Sequence, residues 1–162
     1  MVNDLADNIE VSADLYTVSL DGRKTPLKTA RATCRPDKAM VLATIDVSEI
    51  VADALLFWDF HTSAGTEGRG HHVMATYKAL DLEPSGLGHT VQPQADGSVA
   101  ITLSSRGLAL FVSIEADCAG RFSDNAFDML AGESRTIFFT PEERGATPGF
   151  VVRDLQSCQA TD

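Results

Sequence analysis

Alternation with a period of two restricts this chain more than any other feature. Ile9, Val11, Ala13 and Leu15 fall on one face of an extended segment, and Tyr16, Val18 and Leu20 on the other. Val99, Ile101 and Leu103 repeat the pattern far downstream. Successive side chains of a strand point to opposite faces, so this spacing predicts β-strands with a buried face. Residues 39–47, 71–80, 108–116 and 134–140 read as further strands, and Phe150, Val151 and Val152 begin a last one. Residues 54–61 (Ala-Leu-Leu-Phe-Trp-Asp-Phe-His) are apolar on both faces, which suits a central strand.

Between these runs lie turn signals. Asp21-Gly22 and Asp96-Gly97 are hairpin-type pairs. Residues 63–70, with three glycines and no periodicity, predict a loop, as do the Gly/Pro-rich residues 145–149. Helical periodicity is nearly absent; residues 48–55 are the one weak candidate. Short strands with regular turn signals predict an all-β protein made of sandwiches. Pro84, Gly86 and Gly88 mark a linker over residues 81–88, which divides the chain into domains 1–82 and 83–162. Each half holds about 80 residues, a size at which a domain is often marginal alone.

Charge narrows the function. The net charge is -10, from 23 acidic and 13 basic side chains, so the chain repels phosphate backbones and a nucleic-acid partner is not expected. No apolar run reaches the roughly 18 residues of a membrane helix, so no membrane partner is expected either. The three cysteines, Cys34, Cys118 and Cys158, show no framework spacing. They are expected to be reduced thiols of a cytoplasmic protein.

The second half carries a recognisable segment: Gly120-Arg121-Phe122-Ser123-Asp124-Asn125-Ala126-Phe127, then Leu130, Gly132-Glu133 and Phe139-Thr140-Pro141. It resembles the C-terminal immunoglobulin-like domain of β-mannosidases, glycoside hydrolases of the β-galactosidase and β-glucuronidase group. Val2-Asn3-Asp4, the Leu20-Asp21-Gly22 turn, residues 55–60 and Tyr77-Lys78-Ala79-Leu80 resemble the sandwich that precedes that domain. Gly65, Gly68 and Gly70 before His71 depart from the family pattern. The resemblance implies two immunoglobulin-like β-sandwiches in tandem, attached to an upstream catalytic TIM barrel of the same polypeptide. It also implies that chemistry lies in that barrel, where a Glu directly follows an Asn; this sequence has no Asn-Glu pair. A non-catalytic accessory module, with no cofactor, is therefore expected.

Glycoside hydrolysis needs two carboxylates at a set separation. Glu115, Asp117, Asp124 and Asp128 lie near the Arg121–Asn125 stretch, but Asp124 and Asn125 are better read as making side-chain-to-backbone turn bonds. Arg121, Phe122, Asp124 and Asn125 are expected to be fold determinants, with Arg121 pairing a nearby acid. His61 could meet His71 or His72, with Glu67, around a metal, but zinc needs three or four convergent ligands and strand neighbours point apart. His89 is the fourth histidine. Asp117, Asp124 and Asp128 could in principle bind calcium, though not with EF-hand spacing. Trp58 is the candidate sugar-stacking aromatic; flanked by Phe57, with Leu56 and Phe60 on its own face, it reads more naturally as core. The alternatives to a structural module are thus a carbohydrate-binding module and a stand-alone protein-interaction sandwich.

Overall fold

The computed structural model describes residues 1–50, 53–143 and 145–159. The protein is all-β apart from short helical turns, and it divides into two compact units, Met1–Asp81 and Leu82–Asp162.

The first unit is built on a four-stranded antiparallel sheet. Its strands are β2 (Ile9–Ser19), β3 (Lys24–Cys34), β5 (Ala54–Thr62) and β6 (Glu67–His72), in the order β3-β2-β5-β6. The short strands β1 (Val2–Asn3) and β4 (Lys38–Ala39) form a separate ribbon. Tyr16 pairs with Phe57 and Val18 with Leu55, and all four are buried on one face of the sheet. Burying each such side chain contributes about 1.5–3 kcal/mol. On the opposite face Leu15 pairs with Trp58 and Ala13 with Phe60.

Several expectations for this unit are corrected. The predicted strand over 39–47 is only the end of β4; residues 40–46 have no regular structure. Residues 71–80 leave the sheet after His72 and reach a 3₁₀ turn at Tyr77–Ala79. The weak helix at 48–55 is a 3₁₀ turn, Val47–Glu49, capped by Asp46 and Glu49; residues 51 and 52 lie outside the described residues. The glycine loop is shorter than expected, because Gly68 and Gly70 belong to β6. The reason lies across the sheet: a Cβ on Gly70 would come within 2.5 Å of the Trp58 indole, and one on Gly68 within 2.8 Å of the Phe60 ring. Bulky rings on β5 need bare backbone on the neighbouring strand. The eleven residues of β3 carry no apolar alternation, and its side chains are mostly exposed. Lysine, arginine and threonine guard this edge against further pairing. Its Pro26 sits opposite Tyr16 at a bulge, where a missing N–H is tolerated.

The second unit is a two-sheet sandwich. One sheet runs β10 (Gly120–Phe122), β12 (Ser134–Pro141), β8 (Val99–Ser104), β7 (Gly88–Pro93); the other runs β11 (Phe127–Met129), β9 (Ala109–Ala116), β13 (Phe150–Arg153). Val99, Ile101, Leu103, Ile137 and Phe139 from the first sheet meet Ala109, Val112, Ile114 and Met129 from the second in one core. Phe122, Phe139 and Phe150 form an aromatic cluster, with ring centroids 4.7–6.3 Å apart. Gly97, with φ of +89°, makes the β7–β8 hairpin turn expected at Asp96-Gly97. A short helix, α1 (Leu155–Gln159), was not legible in the sequence pattern.

The expected linker at 81–88 is largely part of this unit. Ser85 is 4% exposed; its carbonyl accepts from Arg106 and Gly107 N–H, and its hydroxyl donates to Asp154 at 2.5 Å. Asp154 is itself buried and caps α1 through Ser157 N–H at 2.8 Å.

Candidate functional site

The stretch from Phe122 to Asn125 crosses from one sheet of the second unit to the other, and each residue is tied to a different place. Phe122 is half-buried against Phe139. Ser123 donates its N–H to the Phe138 carbonyl at 2.8 Å, and its hydroxyl oxygen accepts from Phe138 N–H at 3.0 Å. Asp124 accepts from Asn125 N–H at 2.8 Å and pairs with Arg135, whose guanidinium also lies 4.1 Å from the Phe127 ring centre. Asn125 then imitates a strand residue: its side-chain oxygen accepts from Ile114 N–H at 2.9 Å, and its amide donates to the Ile114 carbonyl at 2.8 Å. The same oxygen accepts from Ala126 N–H, which holds Ala126 at a φ of +60°. A side chain that offers one donor and one acceptor in a plane can replace a missing ladder residue; asparagine does this and alanine cannot. Arg121 stands exposed on β10 opposite Thr140, and the cation beside Asp124 is Arg135 instead.

The other carboxylates are each committed to local structure. Glu115 pairs with Arg153 at 2.8 Å across β9 and β13. Asp117 accepts from Gly149 N–H at 2.9 Å and closes the loop before β13. Asp128 accepts from Phe111 N–H at 3.0 Å; Phe111 has a φ of +53° at a bulge where β9 carries an extra residue against β11. A bulky residue in that region is strained, and the carboxylate stabilises it.

In the first unit the histidines are separated. His61 is exposed opposite Glu67, and His72 is exposed opposite Leu56. His71 is half-buried, 5.3 Å from the Phe57 ring, with its Nε2 2.9 Å from the Tyr77 hydroxyl. His89 is exposed on β7. Among the described residues no three His, Cys, Asp or Glu side chains group to hold a metal, and no helix is long and apolar enough to cross a membrane. Trp58 is half-buried, flat over Gly70 rather than enclosed in the core.

A polar cluster that the sequence did not reveal surrounds Asp59. Arg69 binds it through Nε at 2.7 Å, the Tyr16 hydroxyl at 3.0 Å, and Lys24 lies at 3.7 Å. Lys24 also sits 3.5 Å above the Tyr16 ring centre. Burial pushes the Asp59 pKa up, but the Arg69 hydrogen bond and charge, with Tyr16 and Lys24, outweigh it and hold the carboxyl below its usual value. Asn3 is a second unforeseen residue. It is 1% exposed, and its amide donates to the carbonyls of Asp7 and Cys34, both at 2.9 Å.

A four-stranded sheet packed on a three-stranded one, all antiparallel, is an immunoglobulin-type sandwich. The Ig-fold domain family of mannosidases (Ig_mannosidase) matches residues 82–158. Over those residues the second unit is similar to a mannosidase-type Ig-fold domain. No curated protein sequence matches the chain significantly. Among solved structures, a β-D-mannosidase from Dictyoglomus thermophilum aligns with 94% of this chain at 15% identity and a TM-score of 0.73. The exo-chitosanase of Amycolatopsis orientalis aligns with 96% at 16% identity and a TM-score of 0.59. The chain spans only 20% and 24% of those two proteins.

Proposed function

We propose that this chain is the non-catalytic C-terminal accessory part of a β-mannosidase-like glycoside hydrolase, whose catalytic barrel lies upstream in the same polypeptide. The observation that carries this reading is the mannosidase-type Ig-fold domain at residues 82–158. The likeness to a fifth of a β-D-mannosidase across both units supports it. So does the commitment of Glu115, Asp117, Asp124 and Asp128 to separate local bonds. Its role is to present a surface against which the barrel is held. The hydrolysis of terminal β-mannosides belongs to the parent enzyme. The free thiols of Cys34, Cys118 and Cys158 suit a reducing, cytoplasmic setting.

Two measurements test this. The purified chain should release no nitrophenol from p-nitrophenyl β-D-mannoside. An antibody against it should detect, in source-cell extract, a polypeptide several times longer than 162 residues. Turnover by the chain, or a native protein of the chain's own size, would overturn the proposal. A second reading, glycan binding at Trp58, draws on the partial exposure of its indole.

A further inference from the structure

On the outer face of the four-stranded sheet of the second unit, the β7–β8 turn and β12 border an open groove of about 460 Å³. Gln94, Ala95, Asp96, Ser98, Phe138 and Thr140 line it. Phe138 is 47% exposed, while its neighbours Ile137 and Phe139 point into the core at 1%. Its cross-strand partner is Ala100, whose small side chain leaves the phenyl ring room along the sheet. An exposed aromatic on a strand between buried neighbours offers apolar area that the fold does not use.

The rest of the groove is polar. The Asp96 Oδ1 accepts from Ser98 N–H at 2.9 Å and from the Ser98 hydroxyl at 2.7 Å. These bonds, the hydroxyl's first, hold its pKa below the ordinary value, so the carboxylate stays ionised and fixed at neutral pH. Asp96 is exposed at the turn, where its carboxylate can meet an outside donor. Thr140 adds a hydroxyl on the same strand face as Phe138, two residues away. The acidic net charge disfavours an anionic ligand. A groove this open lacks the enclosed apolar walls that a purely hydrophobic ligand needs.

A pyranose has the complementary surface: one face of C–H groups and an edge of hydrogen-bond donors. We infer that this groove is a subsite for one pyranose ring of a neutral or amino-sugar glycan. Phe138 lies against the C–H face, and Asp96 accepts from a hydroxyl or ammonium on the edge. The accessory reading above enters only in the choice of probes.

The test is a titration of the ¹⁵N-labelled 162-residue chain with mannotriose and, separately, with a glucosamine trisaccharide. Saturable shifts are expected at the amides of residues 94–98 and 138–140, with a Kd of about 1 mM. A larger response to the glucosamine trimer assigns the Asp96 contact to an ammonium; equal responses assign it to a hydroxyl. Phe138→Ala, on the surface, should keep the core resonances and weaken binding about fivefold to tenfold. Thr140→Val gives an independent check that leaves the ring in place. No saturable shift at these amides with either sugar, or unchanged affinity in Phe138→Ala, would overturn the subsite. Neither result bears on the accessory role, which depends on the length of the native polypeptide.

Discussion

The indole of Trp58 lies across Gly70, its partner on the adjacent strand, so closely that a methyl group there would sit 2.5 Å from the ring. Gly70→Ala should therefore displace the only tryptophan of the chain. Overpacking of this kind costs about 1–3 kcal/mol. Urea unfolding followed by Trp58 fluorescence reads both effects, as a lower midpoint and a shifted emission maximum. Iodide should quench the parent partially; complete protection would contradict the half-buried position.

Asn125 and Asp124 are neighbours with unequal roles. Asn125→Ala removes both bonds to Ile114 and leaves that backbone N–H and C=O partly buried and unmatched, at about 2–3 kcal/mol. Asp124→Ala removes an exposed pair with Arg135 and one turn bond, at about 1 kcal/mol or less. Denaturant melts of the two variants should rank them in that order. The reverse order would mean that the sheet-crossing stretch is anchored by charge.

Gly120 packs under the Phe139 ring, and a Cβ added there would lie 2.7 Å from the Thr140 carbonyl oxygen. Backbone cannot give way there as a side chain can. Gly120→Ala is expected to cost about 3 kcal/mol, at the upper end of overpacking effects. Calorimetry should show a lower Tm for the second unit.

Asp59 makes stability depend on pH in a defined direction. Its folded pKa lies below the unfolded value, so its contribution is fully present above the unfolded pKa of about 4 and fades as pH falls through the folded one. With its side chain 37% exposed, solvent screening holds the effect to about 1 kcal/mol or less. Asp59→Asn should be less stable than the parent at pH 7 and match it in strong acid. A constant difference across that range would mean that packing, not charge, is lost.

Sequence patterning located the central strands well, because Ile9 to Tyr16, Val99 to Leu103 and residues 108–116 bury alternate side chains against a core. It failed where a strand buries little. β3 is an edge whose Lys, Arg and Thr side chains face water, so no apolar period marks it. It also failed where a glycine answers a ring on another strand: Gly68 and Gly70 read as loop because Phe60 and Trp58 are distant in sequence. The Arg121–Asn125 stretch was visible as a motif, but the division of labour within it was not. Arg135, ten residues beyond Asn125, takes the place expected for Arg121. The Asp59 cluster gathers residues from four strands, and Asn3 reaches Cys34; neither association is local enough to be seen in one dimension.

Ser85 and Asp154 touch although 69 positions separate them. The second unit is therefore entered and left at nearly one point, like a bead held by its clasp. Such a unit can be spliced into a surface loop of a foreign host, or cut open at the β7–β8 turn and rejoined through its old ends, with little stretching of the chain. Evolution can move a part with that geometry between host proteins without redesigning what lies on either side.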